Sequence, residues 1–370
     1  MTAKPAIPKL LSHRCRNAAF AACLSGLFVA HLRAQETHEK IDVDDVSRTF
    51  VVHLPQGYDK QQHYPVVVLL HAQNQDADDM GRLTHFSQFA ETKGIIAVYP
   101  NALRGRWNIG VRPEEAPMAM RPRRGYGRPG GYPGGGGYPG GGGGYPGGGG
   151  QGGGENPNES RNRPEPADDV NFLNQMLDQL ALKFSIDTRR IYATGLGDGG
   201  FMALRVGCNM ADRVAAIAAV GAAFPKTMIC LPSRPISALF IEGADDPIVP
   251  DNGGTYKPGR FHVLSAEDSA KTWAKFDRCG EKPTQDKIPA VDKDKDKGAK
   301  DTKAFTYSGC QDNAQVVLYS IKNGGNTWPG GEQYMSDKEV GKTSYALNAN
   351  ESIWAFLVTK KIAGESGVQK

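Results

Sequence analysis

The chain has 370 residues, enough for one large domain or two small ones, and 39% of them are apolar, so a substantial core can form. Its 44 Lys and Arg against 40 Asp and Glu leave a formal charge of +4 with the two signs interspersed, which excludes the basic footprint of a nucleic-acid partner.

At the N-terminus Lys4, Lys9, Arg14 and Arg16 precede an apolar run over 18–30. A run of about a dozen residues is too short to span a bilayer and suits the core of an export signal. Residues 1–34 therefore read as a signal peptide cleaved after Ala34 in "LRAQE", giving a secreted or periplasmic protein with no membrane span after cleavage. Beyond it, "RTFVVHL" (48–54), "VVVLLH" (66–71), "IIAVYP" (95–100), "RIYATG" (190–195), "AAIAAVG" (215–221), "ALFIEG" (238–243) and "VVLYSI" (316–321) read as strands. Most are continuous apolar runs, the pattern of parallel strands covered on both faces.

Helices are expected between them. "DDVNFLNQMLDQLALKF" places Val170, Leu173, Leu177, Leu180 and Phe184 on one stripe, with Asp168 or Asp169 at its start. "SAEDSAKTWAKF" opens with Ser265 and Asp268 at the spacing of a capping box, and "NESIWAFLV" is a short C-terminal helix that can dock Ile353, Trp354 and Leu357. Strands alternating with helices predict an α/β fold, a mostly parallel central sheet with helices on both faces, built as a single domain over 35–360.

Two segments interrupt that pattern. Residues 112–165 carry the repeated "GYPGGGG", which cannot bury enough apolar surface to offset ordering entropy, and are expected to be a disordered insertion. Residues 281–303, with "KDKDKGAKD", mix charges without periodicity and read as a loop, and 361–370 as a flexible tail.

Between the fourth strand and its following helix lies "ATGLGDGGFMA" (193–203). An apolar strand, a tight glycine turn and a helix make the shape of a nucleophile elbow, which displays a serine at the apex of G-x-S-x-G. The apex here is Gly197, which has no side chain with which to attack. Once the signal is removed, Cys208, Cys230, Cys279 and Cys310 remain, and four cysteines in an exported chain suggest two disulfides with three possible pairings. Cys208–Cys230 with Cys279–Cys310 is favoured, because each then closes a modest loop. No C-x-x-C and no paired histidines accompany them, so neither a metal nor a cofactor is expected.

Taken in order, "FVVHLPQGYD", "YPVVVLLHAQNQDADD", "IIAVYPNA" followed by "WN", "ADDVNFLNQML", "IDTRRIYATGLGDGGFMALRVGC", "ADRVAAIAAVGA", "RPISALFIEGADDPIVP" and "GGNTWPGG" resemble the secreted α/β-hydrolase esterases that include polyhydroxybutyrate depolymerases and feruloyl esterases. The resemblance covers about 48–357 and is most specific at the elbow and at "DDPIVP". It implies an α/β-hydrolase fold and a Ser–Asp–His triad in that chain order. In such a triad serine attacks the ester carbonyl, histidine takes its proton, and aspartate fixes and stabilises the imidazole.

Mapped onto this sequence, the acid is retained as Asp246, while the serine position is Gly197 and the histidine position is Asn326. The oxyanion position falls on the backbone of Ala72 and Asp198, and Trp107, Asn108, Trp328 and Pro329 occupy positions that would line the cleft; the alternative for both tryptophans is core packing. Loss of two members of one triad implies a catalytically inactive homologue. An active carboxylic-ester hydrolase with a non-standard site would need another base, and only His262 follows Asp246 in the chain. His71 reads as a structural hydrogen bond at a strand end. A third possibility is a non-catalytic binding protein for a small-molecule or polymeric ester or carbohydrate ligand, of polysaccharide, phenolic or polyester chemistry. Asn326 can also donate its amide N–H to Asp246, which would otherwise lose its partner.

Overall fold

The computed structural model describes residues 35–111, 167–259, 261–288 and 302–363. The expected signal peptide (1–34), the glycine-rich segment (112–165), residues 289–301 of the charged segment and residues 364–370 of the expected tail lie outside the described residues.

The elements in chain order are β1 (Gln35–Val43), β2 (Val46–Leu54), β3 (Tyr64–Leu70), α1 (Ala77–Thr84), α2 (Phe86–Lys93), β4 (Ile96–Pro100), α3 (Asp169–Lys183), β5 (Ile186–Leu196), α4 (Asp198–Asn209), β6 (Ala216–Val220), β7 (Ser237–Gly243), β8 (Gly254–Tyr256), β9 (Phe261–Val263), α5 (Ala266–Phe276), β10 (Thr284–Lys287), β11 (Lys303–Tyr307), β12 (Val316–Ile321), α6 (Asp337–Val340) and α7 (Ala349–Leu357). Ten strands form one sheet in the order β1-β2-β4-β3-β5-β6-β7-β12-β11-β10. From β4 to β12 neighbours run parallel; β1, β2, β11 and β10 join antiparallel at the two edges. The small hairpin β8–β9 stands apart.

The continuous apolar strands behave as their composition requires. Side chains alternate across a sheet, and β3 sends Val66, Val68 and Leu70 to one hydrophobic cluster and Val67 and Leu69 to another. The first cluster is covered by α3, α4 and α5, through residues such as Leu173, Phe201 and Trp273; the second by α1, α2 and α7, through Met80, Phe86 and Ile353. This is the α/β-hydrolase fold, with helices on both faces of a mostly parallel sheet.

Two local expectations are revised, and one hairpin is added. The buried stripe of α3 is Phe172, Leu173, Met176, Leu177 and Leu180, with Val170 and the C-cap residue Phe184 partly buried against the same cluster. The helix is turned by its second acid: Asp169 is fully buried and pairs with Arg48 Nη2 at 2.6 Å, so this face is fixed by an ion pair and not by the apolar stripe alone. The segment 281–303 is not wholly a loop. It contains β10, which pairs antiparallel with β11 from Thr284↔Thr306 to Lys287↔Lys303. All four residues of β10 are exposed, so an edge strand held by its backbone ladder leaves no alternation to read. Finally, β1 pairs with β2 along its whole length through a two-residue turn at Asp44 and Asp45, whose φ values of 51° and 62° suit the twist of a tight hairpin.

The cysteines pair as Cys208–Cys230 and Cys279–Cys310. The first ties the end of α4 to the loop after β6; the second ties the end of α5 to the loop before β12.

Candidate active site

Gly197 sits between the last residue of β5 and the first of α4, at φ 55° and ψ −115°. Its N–H donates to Val220 O at 2.9 Å and its carbonyl accepts from Phe201 N at 3.0 Å, so both sides of the turn are fixed. The sharp turn depends on close approach as well. A Cβ on Gly199 would lie 2.0 Å from Leu70 O, so the α4 backbone can rest on the end of β3 only without a side chain there. Glycine at 197 adopts a backbone conformation that other residues enter only with strain.

Asp246 follows β7 in the turn "DDPIVP". Its Oδ1 accepts from the backbone N–H of Ile248 (2.7 Å) and Val249 (2.8 Å), and its Oδ2 accepts from Asn326 Nδ2 at 2.7 Å. Burial pushes the Asp246 carboxyl up to about 6 against the opposing pull of these hydrogen bonds. Asn326 is itself held on four sides. Its N–H donates to Val340 O at 2.6 Å, its carbonyl accepts from Tyr334 Oη at 3.0 Å, and Nδ2 also donates to Gly221 O at 2.9 Å. Both Nδ2 partners are acceptors, which fixes the amide orientation and turns Oδ1 toward Gly197. A Cβ placed on Gly197 would stand 3.1 Å from that oxygen. The three mapped positions, Gly197, Asp246 and Asn326, therefore converge.

The oxyanion positions are placed unevenly. Asp198 opens α4, where the first N–H groups have no intrahelical acceptor, whereas the Ala72 N–H already donates to Gln75 Oε1 at 3.3 Å. The Asp198 side chain, 6% exposed, accepts from Trp107 N at 3.0 Å through Oδ2, and burial pushes its carboxyl up to about 6. His71 is the structural histidine expected: Nδ1 bonds Ala72 O at 2.8 Å, Nε2 accepts from Ala102 N at 3.0 Å, and burial lowers its basicity.

Trp107 and Trp328 do not form open cleft walls. They are 5% and 1% exposed, and their indole N–H groups are occupied by His71 O (3.0 Å) and Asn350 Oδ1 (2.8 Å). A tryptophan that can satisfy its one donor internally packs as core. Asn108 is committed internally: its N–H donates to Asp169 Oδ2 and its Nδ2 to Ala167 O. Pro329 is buried and its carbonyl accepts from Ala349 N, tying the turn to α7. His262 lies in β9 with Nδ1 3.1 Å from Thr255 Oγ1 across the hairpin, while the Asp246 carboxylate takes Asn326.

The motif left other neighbours unread. Tyr334 fixes Asn326 from the loop before α6, and Glu242, at the end of β7, is 2% exposed and accepts from Ala222 N at 3.0 Å. Burial first, then the Asp246 charge, raises the Glu242 carboxyl well above its ordinary range. Tyr256, from β8, is 2% exposed with its ring against Phe201 of α4, and its hydroxyl feels the charges of Asp198 and Asp246. Spacing gives no signal for these three; their partners come from other segments of the chain.

No family model matches the chain. Over 336 residues, 88% of this chain and 83% of the relative, it is 29% identical to the protein described as "Putative esterase NocK" of Nocardia uniformis subsp. tsuyamanensis. Over 169 residues it is 31% identical to feruloyl esterase B of Piromyces equi, a match that spans 43% of this chain and 29% of that protein. Among solved structures, a thermostable esterase superposes with a TM-score of 0.46 at 12% identity, covering 88% of this chain and 63% of that one. The acetyl xylan esterase of Aspergillus awamori superposes with a TM-score of 0.47 at 9% identity, covering 77% and 93%. The chain is thus similar in sequence to esterases.

Proposed function

We propose that this esterase-like protein is an exported relative of polyhydroxybutyrate depolymerases and feruloyl esterases that has kept the fold and the acid of the site and does not hydrolyse esters. The observation that carries the reading is the 2.7 Å hydrogen bond from Asn326 to Asp246 beside Gly197. In a serine hydrolase the group on the aspartate is an imidazole, which accepts the nucleophile's proton and returns it to the leaving group. A carboxamide reproduces the donor toward Asp246 but has no basicity with which to take that proton, and Gly197 has no hydroxyl to give it. Loss of the nucleophile or the base costs on the order of a millionfold in turnover, about 8 kcal/mol.

The N-terminal pattern of residues 1–34 supports export, and two disulfides agree with an oxidising compartment. Among the described residues no helix is long and apolar enough to cross a membrane. The natural ligand on this reading is a phenolic, polyester or polysaccharide compound related to the esters the fold once cleaved. Incubation of the purified protein with an aryl acetate tests the reading. No turnover above a heat-killed control is expected; saturable hydrolysis that disappears in His262→Ala would overturn it and assign a relocated base.

A further inference from the structure

A cavity of about 240 Å³ lies between α5 and the outer strands β11 and β12. It is separate from the elbow: Gly197, Asp246 and Asn326 are not among its lining residues. Its floor follows from the strand period. Phe305 and Tyr307 are two apart on β11 and share a face, and Leu318 of β12 stands opposite Phe305 in the ladder. Ala270 of α5 completes the floor. Ala270, Tyr307 and Leu318 are buried and Phe305 is half-buried. The chain leading into β10 is held against β11 by the Cys279–Cys310 bridge and by the bond from Gly280 N to Ser308 O at 3.0 Å.

The rim is charged. Glu267, Asp268 and Lys271 come from the N-terminal half of α5 and Glu281 from the chain after the bridge, and all four are exposed. Among the described residues Glu267 and Glu281 have no ion-pair or hydrogen-bond partner. Lys271 follows Glu267 by four residues on the helix, yet the two do not pair. The Asp268 carboxylate accepts from Ser265 Oγ at 2.9 Å. Burial first, then the Glu267 charge, raises the nearby Asp251 carboxyl, so negative charge is in excess on this side of α5.

Tyr307 joins floor to rim. It is 6% exposed and lines the cavity, and its hydroxyl has no hydrogen-bond partner among the described residues. Burial, then the charges of Glu267 and Asp268, raise that hydroxyl above its ordinary range, which places it within reach of their field. A polar group so enclosed calls for a partner from outside the chain.

The set selects its ligand. A carboxylate or phosphate meets three carboxylates against one ammonium. An uncharged apolar molecule fits the floor and leaves the rim unused. An ammonium group on a short aromatic arm uses both. Its ring covers Phe305 and Leu318, and its N–H groups serve the carboxylates and the Tyr307 oxygen. The cavity equals about eight water molecules at about 30 Å³ each, room for one ring and a two-carbon arm.

We propose that this cavity is a second binding site, distinct from the elbow, for a primary arylalkyl amine. It stands whether or not the elbow hydrolyses esters.

The test titrates 2-phenylethylamine and 2-phenylethanol, which differ only in the ammonium group, against the full protein by ligand-observed NMR at low salt. The amine should bind about fivefold more tightly than the alcohol, and the preference should shrink as salt is added. Glu267→Gln/Glu281→Gln, at two exposed positions where the fold does not depend on the charge, should abolish the preference. Lys271→Met, which removes the like charge from the rim, should strengthen amine binding. Equal affinity for amine and alcohol, binding of neither, or a preference that survives Glu267→Gln/Glu281→Gln would overturn the proposal. Tighter binding of phenylacetate would overturn it in favour of an anion held by Lys271, and tighter binding of Nα-acetyllysinamide in favour of a peptide ligand.

Discussion

Placing a methyl group on Gly197 probes the apex most sharply. The backbone there has φ 55° and ψ −115°, a region that costs a residue with a Cβ about 1–3 kcal/mol. The new Cβ stands 3.1 Å from Asn326 Oδ1, and that oxygen cannot swing aside without breaking the Nδ2 bonds to Gly221 O and Asp246 Oδ2. Gly197→Ala should therefore destabilise toward the upper part of that range. Gly197→Ser carries the same strain, but its hydroxyl can donate to Asn326 Oδ1, which returns about 1 kcal/mol. Urea unfolding of wild type, Gly197→Ala and Gly197→Ser, followed by circular dichroism with unchanged m-values, measures both differences. An unchanged midpoint for Gly197→Ala would refute the strained apex. Equal losses for alanine and serine would refute the placement of Asn326 Oδ1 as an acceptor beside the apex.

Other outcomes follow from the same structure. Asp169 is fully buried against Arg48 at 2.6 Å, so Asp169→Asn should cost about 3–5 kcal/mol by leaving the guanidinium without its countercharge, read as a lower urea midpoint. Burial raises the Asp198 and Asp246 carboxyls to about 6 and that of Asp277 to about 7. The native state then binds more protons than the unfolded chain between about pH 4 and pH 7, and stability should fall as pH rises through that window; urea midpoints that climb from pH 5 to pH 8 would contradict this. Denatured but unreduced protein cleaved after Ala34 should show no reactive thiol, whereas uncleaved chain should show those of Cys15 and Cys23. Reduction should destabilise by roughly 3–4 kcal/mol per bridge on the chain-entropy view, the sequence separations being 22 and 31.

The parts of the fold that were legible in the sequence are those where burial dictates composition. The inner strands are covered on both faces, so "VVVLL" and "ALFI" are continuous apolar runs. β1, "QETHEKIDV", is largely solvated and is defined by its ladder to β2, which any side chains permit. The hairpin β8–β9 has three residues per strand, too few for a period. Helices α1 and α2 have eight residues each and meet at His85, whose left-handed backbone (φ 51°) is not one its residue type announces. At the site, Gly197 was legible from the strand, glycine turn and helix around it, whereas Asp246 and Asn326 were found only through the resemblance of "DDPIVP" and "GGNTWPGG" to esterase turns. Trp107 and Trp328 were ambiguous because an indole lines a cleft or fills a core equally well until its N–H partner is known, and here both partners are internal. Tyr256 and Glu242 were not legible, because their roles depend on which distant segments close over them.

The claim that two substitutions alone separate this site from an esterase is tested most directly by rebuilding both. Aryl acetate hydrolysis should be measured for wild type, Gly197→Ser, Asn326→His and the double variant. The account predicts no turnover from wild type or either single variant, because a serine without a base and a base without a serine are each inert. Turnover should appear in Gly197→Ser/Asn326→His, where the imidazole can take the place of the amide on Asp246 Oδ2. Hydrolysis by the wild type, or by Gly197→Ser alone, would contradict the account, since either would mean that a base other than residue 326 serves the elbow.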